Sequence, residues 1–108
     1  QQKAFDEMRR VLKPGGAILF AENSKGSKLH VSLRKKFIKW NSYWRYLDYN
    51  KDQDLFASFS SVKLTTKGFF ATFGRSEKQR KALATFDSVI QPILPPSLNY
   101  VIFGVLTK

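Results

Sequence analysis

A proline followed by two glycines, Pro14-Gly15-Gly16, divides the start of this chain into two pieces of different kind. Before it, Ala4, Phe5, Met8, Val11 and Leu12 recur at helical spacing, which predicts an amphipathic helix over Gln2 to Leu12. Asp6 and Glu7 lie in its first half and Arg9, Arg10 and Lys13 near its end, the order that suits the helix dipole. Pro14 cannot continue the helix, Lys13 before it is pushed out of helical dihedrals, and the glycines permit a sharp turn. After it, Ala17 to Ala21 is a short apolar run without polar alternation. Such a run predicts a strand covered on both faces, as in a parallel sheet under helices. Its polar exit, Glu22 to Ser27, lies at the carboxyl end of that strand, the side on which open α/β sheets bind ligands.

The remaining elements follow from the same periodicities. Leu29, Leu33, Phe37, Trp40, Trp44 and Leu47 form an apolar stripe that predicts a second helix from about Leu29 to Leu47. Lys28, Lys35 and Lys39 gather opposite the stripe, with Arg34 and Arg45 flanking it. Tyr49 to Asp54 reads as a polar loop, and Leu55-Phe56 as one short further turn of helix. Ser61 to Phe70 reads as the second strand: Val62 and Leu64 alternate with Lys63 and Thr65, so one face is wet, and Gly68 marks a bend. Ser76-Glu77-Lys78-Gln79 is a capping-box signature that opens a third helix, expected to end near Ile90 with Leu83, Phe86, Val89 and Ile90 inward. Pro92 and Pro95-Pro96 forbid its continuation. Tyr100 to Leu106, almost wholly apolar, is expected to be a last, central strand. Helix and strand thus alternate through residues 1–108, an α/β pattern within a single domain.

Composition excludes several classes of function. Apolar residues make up 43% of the 108 residues, too many for a disordered chain. No apolar run approaches membrane-spanning length. One histidine and no cysteine, with scattered carboxylates, leave no ligand set for a structural metal. Neither a Gly-x-Ser-x-Gly elbow nor a glycine-rich phosphate loop is present, because Gly15-Gly16 precedes a strand where a phosphate loop would follow one. The formal net charge of +11 attracts nucleic acid, anionic lipid or acidic ligands, unless acidic residues elsewhere in a longer protein offset it. Arg34 to Tyr46 interleaves basic residues with Trp40, Tyr43, Trp44 and Tyr46. The tryptophans fall on the apolar stripe, which favours core packing with a solvated basic side. His30, just beyond the first strand, is conceivable as a general base, but a surface histidine beside a helix start is the expected reading.

The run Glu7 to Phe20, with Leu12-Lys13-Pro14-Gly15-Gly16 at its centre, resembles a segment of class I S-adenosylmethionine-dependent methyltransferases. In that family a helix with an Arg-Val-Leu-Lys-Pro-Gly-Gly ending leads into the fifth strand of a Rossmann-like sheet. The resemblance implies a partial Rossmann-like methyltransferase sheet of three strands, the first and second parallel and the last antiparallel between them, with flanking helices and a right-handed first crossover. It implies that residues 1–108 are the carboxyl-terminal portion of a methyltransferase-like domain whose cofactor-binding half is absent. No cofactor-binding residue carries over, since S-adenosylmethionine is held in that family by a glycine-rich loop and an acidic residue that match nothing here. The implied role is on the substrate side, with Glu22, Asn23 and Ser24 after the first strand and Phe69, Phe70 and Phe73 after the second lining an acceptor pocket. His30 and Glu22 are the candidate bases. The expected acceptor is a small molecule or is linked to lipid or glycan, and the expected setting is cytoplasmic, with a membrane-peripheral one as the alternative. The isolated chain is expected to be inactive, and the unpaired edge at Ala17 to Ala21 is expected to favour self-association. Two other readings stand beside this one. One is a basic binding module gripping nucleic acid or anionic membrane through Lys35 and Lys39. The other is a methyltransferase-like scaffold without catalysis.

Overall fold

A computed structural model describes residues 1–38 and 45–108. In chain order the main elements are α1 (Gln2–Val11), β1 (Ala17–Asn23), α2 (Lys28–Phe37), β2 (Ser61–Lys67), α3 (Glu77–Ile90) and β3 (Val101–Thr107). Short 3₁₀ turns cover Gln53–Phe56, Ala71–Phe73 and Pro96–Leu98. The sheet has the order β1-β3-β2. Ala17 to Asn23 face Thr107 to Val101 on one side of β3, and Ser61 to Lys67 face the same seven residues on the other.

Both ladders are antiparallel. This corrects the expected partial Rossmann-like sheet: among the described residues no pair of strands forms a parallel ladder, and the sole parallel contact is an isolated bridge between Ser24 and Leu47. The expectation rested on reading an unbroken apolar run as a strand covered on both faces. Along β1, however, burial alternates through Ala17, Ile18, Leu19 and Phe20, and Leu19 is 80% exposed. What the run encodes is one covered face and one bare apolar face, a pattern open to antiparallel sheets.

The covered face carries the core. Phe5, Leu47, Phe56, Phe59, Ile102 and Leu106 are buried, with Leu12, Ile18, Phe20 and Leu64 packed against them. Phe5, Phe20 and Phe56 form an aromatic cluster with centroids 5.0–5.5 Å apart. Gly104 makes room for it. A Cβ at that position would fall 2.0 Å from Cε1 of Phe20, the side chain opposite it in the register. On the other face Leu19, Phe103 and Val105 are exposed.

The turn after α1 forms as its residues dictate. Leu12 leaves the helix in an extended conformation, Gly15 takes a positive φ of 75°, and the Gly16 amide donates to the Lys13 carbonyl at 2.9 Å. Only Phe5 of α1 is buried and Leu12 is partly so, while Met8 and Val11 are exposed. The second helix is shorter than the apolar stripe implied. Ile38 ends α2 with φ −112° and ψ 105°, and Leu47 sits in the core from outside any helix. Trp40, Tyr43, Trp44 and Lys39 lie outside the described residues. Helix α2 buries His30 and Arg34 and exposes Leu29 and Phe37, so its inward face is polar. Helix α3 likewise exposes Phe86 and Val89 and buries Asp87. No helix among the described residues is long and apolar enough to cross a membrane.

Candidate functional site

The polar inward faces of α2 and α3 meet at one place, beside the Asn23 end of β1 and the Lys67 end of β2. The register places Asn23 and Lys67 on either side of Val101, so both strand exits lie on the same side of the sheet. Gly68, with φ +79°, turns the chain out of β2 into Phe69, Phe70 and the short turn Ala71–Phe73. Three successive amides of that turn need an acceptor, and the buried carboxylate of Asp87 supplies it. Phe69, Phe70 and Ala71 donate to its two oxygens at 2.9, 2.8 and 2.9 Å. Asp87 therefore fixes the turn to α3 through bonds stronger than those between neutral groups.

His30 joins this turn to α2. The Ser27 hydroxyl caps α2 by accepting the His30 amide at 3.3 Å, and the Ser27 amide donates back to Nδ1 of His30 at 3.3 Å. This is a capping box with histidine in the place usually held by Glu or Gln. Because Nδ1 accepts an amide proton, the ring proton belongs on Nε2, which donates to the Phe69 carbonyl at 3.0 Å and has Thr72 Oγ1 at 3.2 Å. Phe73 stacks on the ring at 4.9 Å and 17°, Phe69 meets it edge-on, and Tyr100 lies 5.5 Å away. Burial pushes the His30 pKa below its usual value, with the nearby Arg34 charge adding to it, against the opposing pull of the Phe69 carbonyl and Asp87. The imidazole is thus neutral, and both its nitrogens are engaged. It is buried, which corrects the expectation of a surface histidine.

One helical turn on, Arg34 is buried too. Its guanidinium donates to the carbonyls of His30, Ser24 and Lys25, so it ties α2 to the exit of β1. It also lies 3.9 Å from the ring centroid of Tyr46 and 5.1 Å from that of Tyr100. Carbonyl dipoles and aromatic faces replace water around this charge, with no carboxylate in ion-pair contact among the described residues.

His30 and Arg34 form part of the wall of a trough of about 1050 Å³. Leu33, Phe37, Ile38, Phe73, Tyr100 and Phe103 give it apolar walls, and Lys67, Arg75, Arg80 and Lys81 surround it. A second, smaller cavity of about 490 Å³ lies on the other side of α2, between Ser24, Lys28, Lys35 and Asp48.

The structure separates the substrate-side residues expected from sequence. Phe73 lines the trough, and Phe69 sits behind it against His30. Phe70 turns away to meet Phe86 at 5.3 Å. Ser24 is buried at the smaller cavity, with its hydroxyl accepting from the Gly26 amide. Glu22 and Asn23 are exposed on β1 and border neither cavity. Of the two candidate bases, His30 is therefore at the trough and Glu22 is not. Lys35 borders the smaller cavity, and Lys39 is outside the described residues.

Arg34, Asp87 and Tyr100 complete the site and are not among the catalytic or substrate-side residues expected from sequence. Asp87 had a signal: it is an acid set within the apolar stripe of Leu83, Phe86 and Ile90. Arg34 had a weaker one, four residues after the only histidine on the same helix face.

The described residues do not fit an adenosyl cradle. The glycine turn at Gly15-Gly16 closes on its own Lys13 carbonyl, and Glu22, the acid at the end of β1, does not border the trough. No group of three or more His, Cys, Asp or Glu able to hold a metal ion occurs among them. No family model, curated protein or solved structure matches the chain.

Proposed function

We propose that these residues form the acceptor side of a S-adenosylmethionine-dependent methyltransferase, with the cofactor held by residues other than those described. The observation that carries this reading is the position of the trough. It opens where β1 and β2 end, next to the turn that follows β2, so a ligand there would meet the strand exits. The resemblance of Leu12 to Gly16 supports it independently. The trough's role in such an enzyme is to hold the acceptor in one orientation and keep water from it. His30 belongs to the scaffold of that trough, since its single lone-pair nitrogen is occupied by Ser27. An acceptor that is ionised before it binds needs no base, and that class of acceptor suits these walls. A cytoplasmic setting, at a membrane surface where the acceptor is lipid-linked, belongs to the same proposal.

Calorimetric titration tests the division of labour. The 108-residue chain should give no heat of binding with S-adenosylmethionine at micromolar concentration. Micromolar binding by these residues alone would overturn the proposal. Absence of methyl transfer from a longer polypeptide that joins these residues to a cofactor-binding part would overturn it as well.

A further inference from the structure

We infer that the trough between α2, α3 and the turn after β2 binds a small amphipathic anion, an apolar chain or ring system carrying a carboxylate or phosphate. Two observations carry this. The first is the match of size and lining. A volume of about 1050 Å³ with Leu33, Phe37, Phe73 and Phe103 on its walls takes a ligand whose bulk is hydrocarbon. The second is the charge. The residues that line it include His30, which is neutral, and the cations Arg34, Lys67, Arg75, Arg80 and Lys81, but no aspartate or glutamate.

These cations are not equivalent. Arg34 is occupied by three carbonyls, and its role is to hold the wall. The Arg80 Nε donates to the Gly74 carbonyl at 3.0 Å, which fixes its guanidinium beside the trough. Lys81 has a loose, solvent-exposed contact with Glu77 at 3.7 Å. Lys67 and Arg75 are exposed, and neither has an ion-pair partner among the described residues. They come from different elements, the end of β2 and the segment before α3, yet they border the same apolar space. A cation or an uncharged chain of the same size would find the walls but not the complement to this charge.

To call this ligand the methyl acceptor rests on the function proposed above; its binding does not, and the test needs no cofactor. Decanoate is titrated into the 108-residue chain by calorimetry, with decyltrimethylammonium as the probe of equal chain and opposite charge. Decanoate should bind saturably at one site, and decyltrimethylammonium should bind at least about tenfold more weakly. The Lys67→Glu/Arg75→Glu chain should bind decanoate about tenfold more weakly while its circular dichroism is unchanged, in keeping with exposed charges of modest strength. Ala84→Trp, on the exposed face of α3 where it borders the trough, should block binding of both probes. Equal binding of the two probes, or decanoate affinity untouched by either variant, would overturn the inference. Inorganic phosphate distinguishes a plain anion site: saturable binding of phosphate as tight as that of decanoate would also overturn it. If decanoate binds as expected and no methyl transfer is found in the longer polypeptide, the proposed function fails while the binding site stands.

Discussion

His30 shows how much of a fold can hang on one uncharged ring. Its amide and Nδ1 close the cap of α2, and its Nε2 holds the carbonyl of Phe69, thirty-nine residues away. Because burial lowers its pKa in the folded chain, the unfolded chain binds its proton first as pH falls. Its stabilising effect is therefore complete above about pH 6.5, the ordinary histidine value, and is lost as the pH drops below that. Denaturant unfolding between pH 7.5 and 5 should show stability falling on the acid side, with a slope of at most about 1.4 kcal/mol per pH unit from this residue. His30→Gln should lower stability at pH 7.5 by about 1–3 kcal/mol, through lost hydrogen bonds and packing, and should flatten that slope. An unchanged slope in the variant would contradict the assignment. The sequence displays the residue but not its burial, because an amphipathic pattern counts apolar side chains. The inward face of α2 is instead satisfied by polar bonds that only the tertiary structure supplies.

At the scale of elements, β3 and its glycine decide the packing. Phe20 crosses β3 over Gly104, and any β-carbon there collides with the ring. Gly104→Val should destabilise the chain by about 2–3 kcal/mol, read as a lower denaturation midpoint. Combining Gly104→Ala with Phe20→Leu should cost less than the sum of the two single changes, as expected for side chains that share one space. Strict additivity would show that the two do not meet. The break between α1 and β1 was legible because Pro14 and Gly15 impose it locally, and the start of α3 because Ser76 and Gln79 cap it within four residues. The covering of each strand face and the facing of the helices were not legible. An apolar run such as Ala17 to Ala21 has the same composition whether its second face is covered or bare. The stripe from Leu29 to Leu47 continues past Ile38, where the backbone has already left the helix. The same limit applied to the site. Phe73 was found as an aromatic near a strand exit, but its neighbours in space come from α2 and α3, which no local pattern joins.

At the scale of the whole molecule, β1 has one side on β3 and one side open for most of its length. Ser24 donates inward to Tyr100, while Asn23 and Lys25 bond outward to Leu47. By the same alternation Leu19 and Ala21 direct their amides and carbonyls outward, where they meet no strand among the described residues. Beside this edge lie the exposed side chains of Leu19, Phe103 and Val105. The 108-residue chain should therefore associate with rising concentration in sedimentation velocity, and Leu19→Lys should reduce that association. A chain that stays monomeric throughout would show that the edge is protected.

The place of β3 between β1 and β2 also sets an order of events. Strands β1 and β2 touch only through β3, and β3 comes last of the three along the chain. A ribosome that has released residues up to Ile90 has exposed both outer strands and formed neither ladder. The nascent polypeptide must hold the two outer strand segments apart until Val101 to Thr107 emerge, and then join them in one step across separations of about forty and about eighty-five residues. Folding should consequently be late and all at once, with the chaperone demand of a longer β-sheet protein.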